Sequence, residues 1–78
     1  MKHSTLHDCV RASMEEFFRD LDGTDPANLH DMLVKAVEKP LLEVVMEQAQ
    51  NNQSRAAQWL GLNRNTLRKK LLEHQLIE

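Results

Sequence analysis

The residues with the most chemistry to offer lie between Gln53 and Leu71, QSRAAQWLGLNRNTLRKKL. Arg64 has the forked donor geometry that pairs with O6 and N7 of a guanine. Arg55, Arg68, Lys69 and Lys70 are suited to neutralising phosphates, with one of them able to reach a base as well. Ser54 and Thr66 are short donors for phosphate oxygens. Helix N-termini in this stretch would add backbone N–H groups and the positive end of a dipole. On a helix, the neighbours Arg68 and Lys69 project about 100° apart, so they cannot both face one groove wall. This is the chemistry of gripping a nucleic acid.

Two short helices must hold these groups in place. The first is expected from about Gln53 to Leu60, with Asn52 as its cap. Gly61 supplies a turn that needs positive φ. The second helix follows the Asn63 cap and is expected to reach about His74. Ala56 and Ala57 are small enough for the helices to cross closely. Leu60, Leu62, Leu67 and Leu71 form the expected small core, and Trp59 is expected to seal the unit against the preceding helix rather than stack on a base. The pattern is a helix-turn-helix whose second helix enters a DNA major groove. The plainer alternative is a helical hairpin with a basic solvent face.

Charge distribution supports the first reading. The 78-residue chain has a net charge of -2. Met1 to Glu47 carries 5 basic and 10 acidic residues, whereas Gln48 to Glu78 carries 5 basic and 2 acidic. The net charges of -5 and +3 place a basic end on an acidic body. The expected setting is cytoplasmic. The lone Cys9 can form no intrachain disulfide, MKHSTLHDCV contains no long apolar run, and no stretch approaches the roughly 20 apolar residues of a membrane span.

With 2 Gly, 2 Pro and a predominance of helix formers, the expected class is all-α, with four helices in one domain, 1–78. The first helix spans about Leu6 to Leu21. Ser4 or Thr5 caps it, Gly23 follows it, and Leu6, Val10, Met14, Phe17, Phe18 and Leu21 line one side. The second is expected to start with Asp25 as cap and Pro26 at the first helical position, and to run to about Gln50, some 37 Å. Its expected stripe is Leu29, Leu33, Ala36, Val37, Leu41, Val44 and Val45, beside Met32. Pro40 should kink this helix or divide it in two. A chain this small cannot cover so long a stripe alone. Residues 1–50 are therefore expected to form a four-helix dimer core with a second copy, and 51–78 the helix-turn-helix.

The chain resembles the Fis family, the bacterial nucleoid-associated factors for inversion stimulation, over nearly its full length. The resemblance is strongest over EKPLLEVVMEQAQNNQSRAAQWLGLNRNTLRKKL, Glu38 to Leu71, and most specific in NRNTLRKKL and in Pro40-Leu41-Leu42. It implies that Asn63, Arg64 and Lys69 approach bases, while Asn52, Ser54, Arg55, Thr66, Arg68 and Lys70 secure the phosphate backbone. It also implies a homodimer that regulates transcription in the nucleoid. Its recognition helices would lie closer together than one turn of straight DNA, so the duplex bends and its central minor groove narrows.

The chain departs from that pattern at several places. About five residues precede the first helix, so the family's invertase-activating arm is expected to be absent and recombination not to be stimulated. Gln50, Leu72 and Glu73 stand where basic residues are expected, which should reduce flanking phosphate contacts, and Asn65 stands where Gly is common. Two further readings remain beside the Fis-like regulator: a dimer acting mainly through a protein such as RNA polymerase, and a stand-alone module of the kind that ends sigma-54 activators. Met1 and the complete first helix favour a whole protein over such a module.

No cofactor, metal site or enzyme activity is expected. His3, His7 and Cys9 match no zinc spacing, and no carboxylate pair, nucleophile set or phosphate-cradling loop is present. His30 and His74 read as surface residues.

Overall fold

The first helix starts where a side chain can replace its missing backbone partner. In the computed structural model, which describes residues 5–78, Thr5 Oγ1 accepts a hydrogen bond from the Asp8 amide at 3.0 Å and α1 spans Leu6–Leu21. Thr5 is the cap; Ser4, the other candidate, and His3 lie outside the described residues. Three more helices follow: α2 (Leu29–Gln48), α3 (Gln53–Leu60) and α4 (Arg64–Glu73). The fold is all-α.

The start of α2 differs from expectation. Asp25 and Pro26 lie in the connection, and the helix begins three residues after Pro26. Asn28 adopts the left-handed conformation at φ 53° and interrupts any helical path from Pro26. Asn tolerates that geometry better than most residues, and the Asn28 carbonyl still accepts the Met32 amide at 3.0 Å. The far end is also earlier than expected, at Gln48 rather than Gln50. The helix is therefore about 30 Å long. It runs through Pro40 without dividing.

Gln50 and Asn51 are both left-handed, at φ 55° and 63°, and turn the chain sharply into α3. The Asn51 amide bonds the Met46 carbonyl at 2.9 Å and the Gln50 amide bonds the Glu47 carbonyl at 3.1 Å, which closes α2 in a Schellman motif. Gln at such a position carries a Cβ penalty that Gly would not. Gln50→Gly should therefore stabilise the fold by about 0.5–1 kcal/mol, net of the entropy glycine loses on folding. Urea unfolding would show a higher midpoint at unchanged slope.

The buried core is built from Leu42, Met46 and Ala49 at the end of α2, Ala56 and Ala57 of α3, and Leu67 and Leu71 of α4, with Val45, Leu60, Leu76 and Ile77 packed beside it. Of the expected stripe only Val45 packs beside this core; Leu42, Met46 and Ala49 lie on an adjoining face. On that stripe, Ala36, Val37, Leu41 and Val44 are exposed, and Leu29, Leu33 and Val45 are half-buried. No described residue of α1 is buried either. The Cα radius of gyration is 15.4 Å, against about 11.5 Å for a compact chain of this length. The chain thus folds one small core around its C-terminal half and leaves two apolar helix faces uncovered.

Trp59 does not seal that core: it is 56% exposed. The reason is angular. Ala56 and Ala57 define the buried face of α3, Leu60 falls on it, and Trp59 points about 110° away.

Candidate nucleic-acid interface

The turn between α3 and α4 follows from three local rules. Asn52 Oδ1 accepts from the Arg55 amide at 3.1 Å and starts α3. Gly61 takes φ 73°, and the Leu62 amide reaches back to the Ala57 carbonyl at 2.9 Å while the Gly61 amide reaches Gln58 at 3.2 Å. This Schellman closure stops α3 within one residue and reverses the chain. Asn63 Oδ1 then accepts from the Asn65 amide at 2.7 Å and starts α4. Leu67 and Leu71, one turn apart, pin α4 across α3, where Ala56 and Ala57 permit close approach.

With Leu67 and Leu71 inward, the helical period decides where the polar residues of α4 face. Lys69 projects about 180° from the core side, with Asn65 and Thr66 beside it, while Arg68 and Lys70 flank the core at about 80° on opposite sides. Asn63, Arg64, Asn65, Thr66, Arg68 and Lys69 are all exposed, as are Asn52, Ser54 and Arg55 at the start of α3. Arg64 Nη1 donates to Ser54 Oγ at 3.3 Å, so the first turn of α4 and the first turn of α3 are joined at the surface. The expected binding residues, Lys70 apart, thus share one basic surface made by two helix N-termini and the outer ridge of α4, with Glu73 at the far end of that ridge as its one acidic residue.

Lys70 faces elsewhere. Its Nζ lies 2.8 Å from Glu38 Oε2 on α2, and His74 Nε2 lies 2.9 Å from Glu38 Oε1. His74 was expected at the surface; its side chain is 11% exposed, because it leans toward α2 from the inner side of α4. The Glu38 carboxyl is held below its ordinary range, first by the hydrogen bond from Lys70 and then by that from His74. The Lys70 ammonium is held above its ordinary range, chiefly by the bond to Glu38. The stability Glu38 gains is complete above the ordinary carboxylate range and is lost as pH falls through its lowered folded value. The share of Lys70 is complete below the ordinary lysine value and is lost as pH rises through its raised folded value. Glu38 carried no signal in the sequence: its partners lie 32 and 36 residues away.

Two short helices crossed over a leucine pair, a glycine-closed turn and a second helix with an exposed basic ridge define a helix-turn-helix protein. Residues 33–74 match the family described as bacterial regulatory protein, Fis family. A protein named as a Fis-like DNA-binding protein in Ralstonia nicotianae is 54% identical over 77 residues, covering 99% of this chain and 100% of its own. Proteins of the same name in Neisseria meningitidis serogroups A and B are each 54% identical over 72 residues, covering 92% of this chain and 91% of theirs. The chain belongs to the Fis family.

Among the described residues, no helix is long and apolar enough to cross a membrane, and no group of three or more His, Cys, Asp or Glu side chains is placed to hold a metal ion.

Proposed function

We propose that this protein is a homodimeric, sequence-tolerant, DNA-bending regulator of transcription that works in the nucleoid. Its α4 enters the major groove of double-stranded DNA. Arg64, Asn63 and Lys69 approach base edges, while Asn52, Ser54, Arg55, Thr66 and Arg68 fasten the phosphates on either side. Lys70, engaged by Glu38, contributes to the field of this face more than to a direct contact. The observation that carries the reading is the shared surface: a basic ridge on α4, free of acidic residues from Arg64 to Leu72, joined through Arg64 and Ser54 to the N-terminal turn of α3. The name borne by the Ralstonia and Neisseria relatives supports the DNA ligand.

The dimer reading rests on the uncovered apolar faces. Val37, Leu41 and Val44 on α2 and Leu6 and Phe18 on α1 are exposed in the single chain. A second copy covers them if the α1 and α2 helices of two chains form a four-helix core. The two recognition helices then sit on one side of the dimer, and a duplex must bend to meet both.

Leu41→Glu tests this arrangement. Leu41 is 48% exposed in one chain, so a charge there should leave the single-chain fold intact and disturb only a partner that covers the site. Sedimentation should show a two-chain species for the parent and a one-chain species for the variant, with loss of tight duplex binding. A variant that sediments and binds like the parent would remove the four-helix interface from the proposal.

A further inference from the structure

The bonds to Glu38 are, among the described residues, the only side-chain hydrogen bonds that tie α2 to α4 and its C-cap. Both oxygens of one carboxylate take part, one accepting from Lys70 of α4 and the other paired with His74, the C-cap one turn further on. The three side chains are 17%, 31% and 11% exposed for Glu38, Lys70 and His74, so the cluster is sheltered and geometrically defined. Two bonds at separated points fix rotation as well as distance, whereas one bond would leave α4 free to swivel. Leu67 and Leu71 are the buried apolar residues that α4 gives to the core.

We infer that Glu38 is a positioning residue for DNA recognition: through Lys70 and His74 it sets the angle of the recognition helix on α2. This rests on the dimeric DNA-binding reading above. In that dimer α2 belongs to the central core, so the angle of α4 on α2 determines the separation and tilt of the two recognition helices. Glu38 therefore governs which half-site spacing, and hence how strongly bent a duplex, the protein accepts. It touches no DNA itself, and it draws Lys70 inward from the phosphates.

The test uses full-length wild type, Glu38→Ala and Glu38→Gln, titrated on duplexes whose two half-sites are moved apart in one-base-pair steps, and on a duplex with a single half-site. The Gln side chain retains an acceptor for Lys70 and a donor for the His74 ring. Circular dichroism and sedimentation first establish that each variant is helical and dimeric.

Wild type is expected to favour one spacing. Glu38→Ala should lose about tenfold at that spacing and flatten the profile, with single-half-site binding no weaker than that of wild type. Glu38→Gln should keep the preferred spacing. Retention of the wild-type profile by Glu38→Ala would overturn the inference while leaving the DNA-binding reading standing. So would uniformly tighter binding with a log–log salt slope steeper by about two, since Glu38 would then only neutralise Lys70 in each chain. Failure of wild type to bind any duplex would instead overturn the reading on which the inference rests.

Discussion

Raising the salt from about 50 to about 200 mM should weaken duplex binding by about four orders of magnitude. The count comes from the geometry of the basic face. Arg55, Arg64, Arg68 and Lys69 are exposed cations on α3 and α4, and Lys70 is held by Glu38. Four cations per chain, two on phosphates and two at base edges between the phosphate rows, displace about eight counterions per dimer, hence a log–log slope of about -7. If Lys70 left Glu38 to join them, ten charges would give about -9. Anisotropy titrations at several salt concentrations measure this slope. A slope near zero would contradict a polyanion ligand, because cations placed on this face must displace counterions from a phosphate backbone.

Arg64→Ala should produce the second large effect. The guanidinium sits in the first turn of α4, exposed, with Ser54 Oγ 3.3 Å from Nη1 to orient it. A bidentate contact to guanine contributes about 1–3 kcal/mol of discrimination in one half-site. Two half-sites in a dimer double this to about 2–6 kcal/mol, a loss of about 30-fold to about 10⁴-fold in affinity. The signature is not affinity alone. The variant should also lose its preference for guanine at the contacted position, whereas removal of a phosphate contact would weaken all sequences alike. Arg64→Lys should restore charge but not the preference, since an ammonium lacks the planar fork. Equal losses on guanine-containing and guanine-free duplexes would reassign Arg64 to the backbone.

The helix-turn-helix was legible because its signals are local. Asn52 and Asn63 each cap a helix with their own side chain, as Thr5 does for α1, and Gly61 occupies the left-handed position that the turn demands. Small residues at Ala56 and Ala57 and the Leu67, Leu71 pair carry their own spacing, and all four are buried. The start of α2 was not legible, because Asp25-Pro26 is a good helix opening in isolation and Asn28 overrides it by taking left-handed φ.

Nor did periodicity rank the two apolar faces of α2. Val37, Leu41 and Val44 repeat as regularly as Leu42, Met46 and Ala49, yet only the second set meets α3 and α4 within one chain. Trp59 misled by size: its bulk suggested burial, while its angle on α3 places it outside. Lys70 and His74 misled by company. They sit in and beside a basic run, but a carboxylate from another helix takes both. Such a pairing is a property of tertiary distance, which no local pattern encodes.

The most direct test of a dimeric DNA-binding Fis-family protein is a stoichiometric anisotropy titration of a labelled duplex of about 27 base pairs, long enough to span two half-sites. The duplex should have an AT-rich centre and a guanine near each end. Binding should saturate sharply at two chains per duplex. Saturation at one chain per duplex would contradict the dimer, and no binding by a folded protein would contradict the assignment of α3 and α4 to DNA.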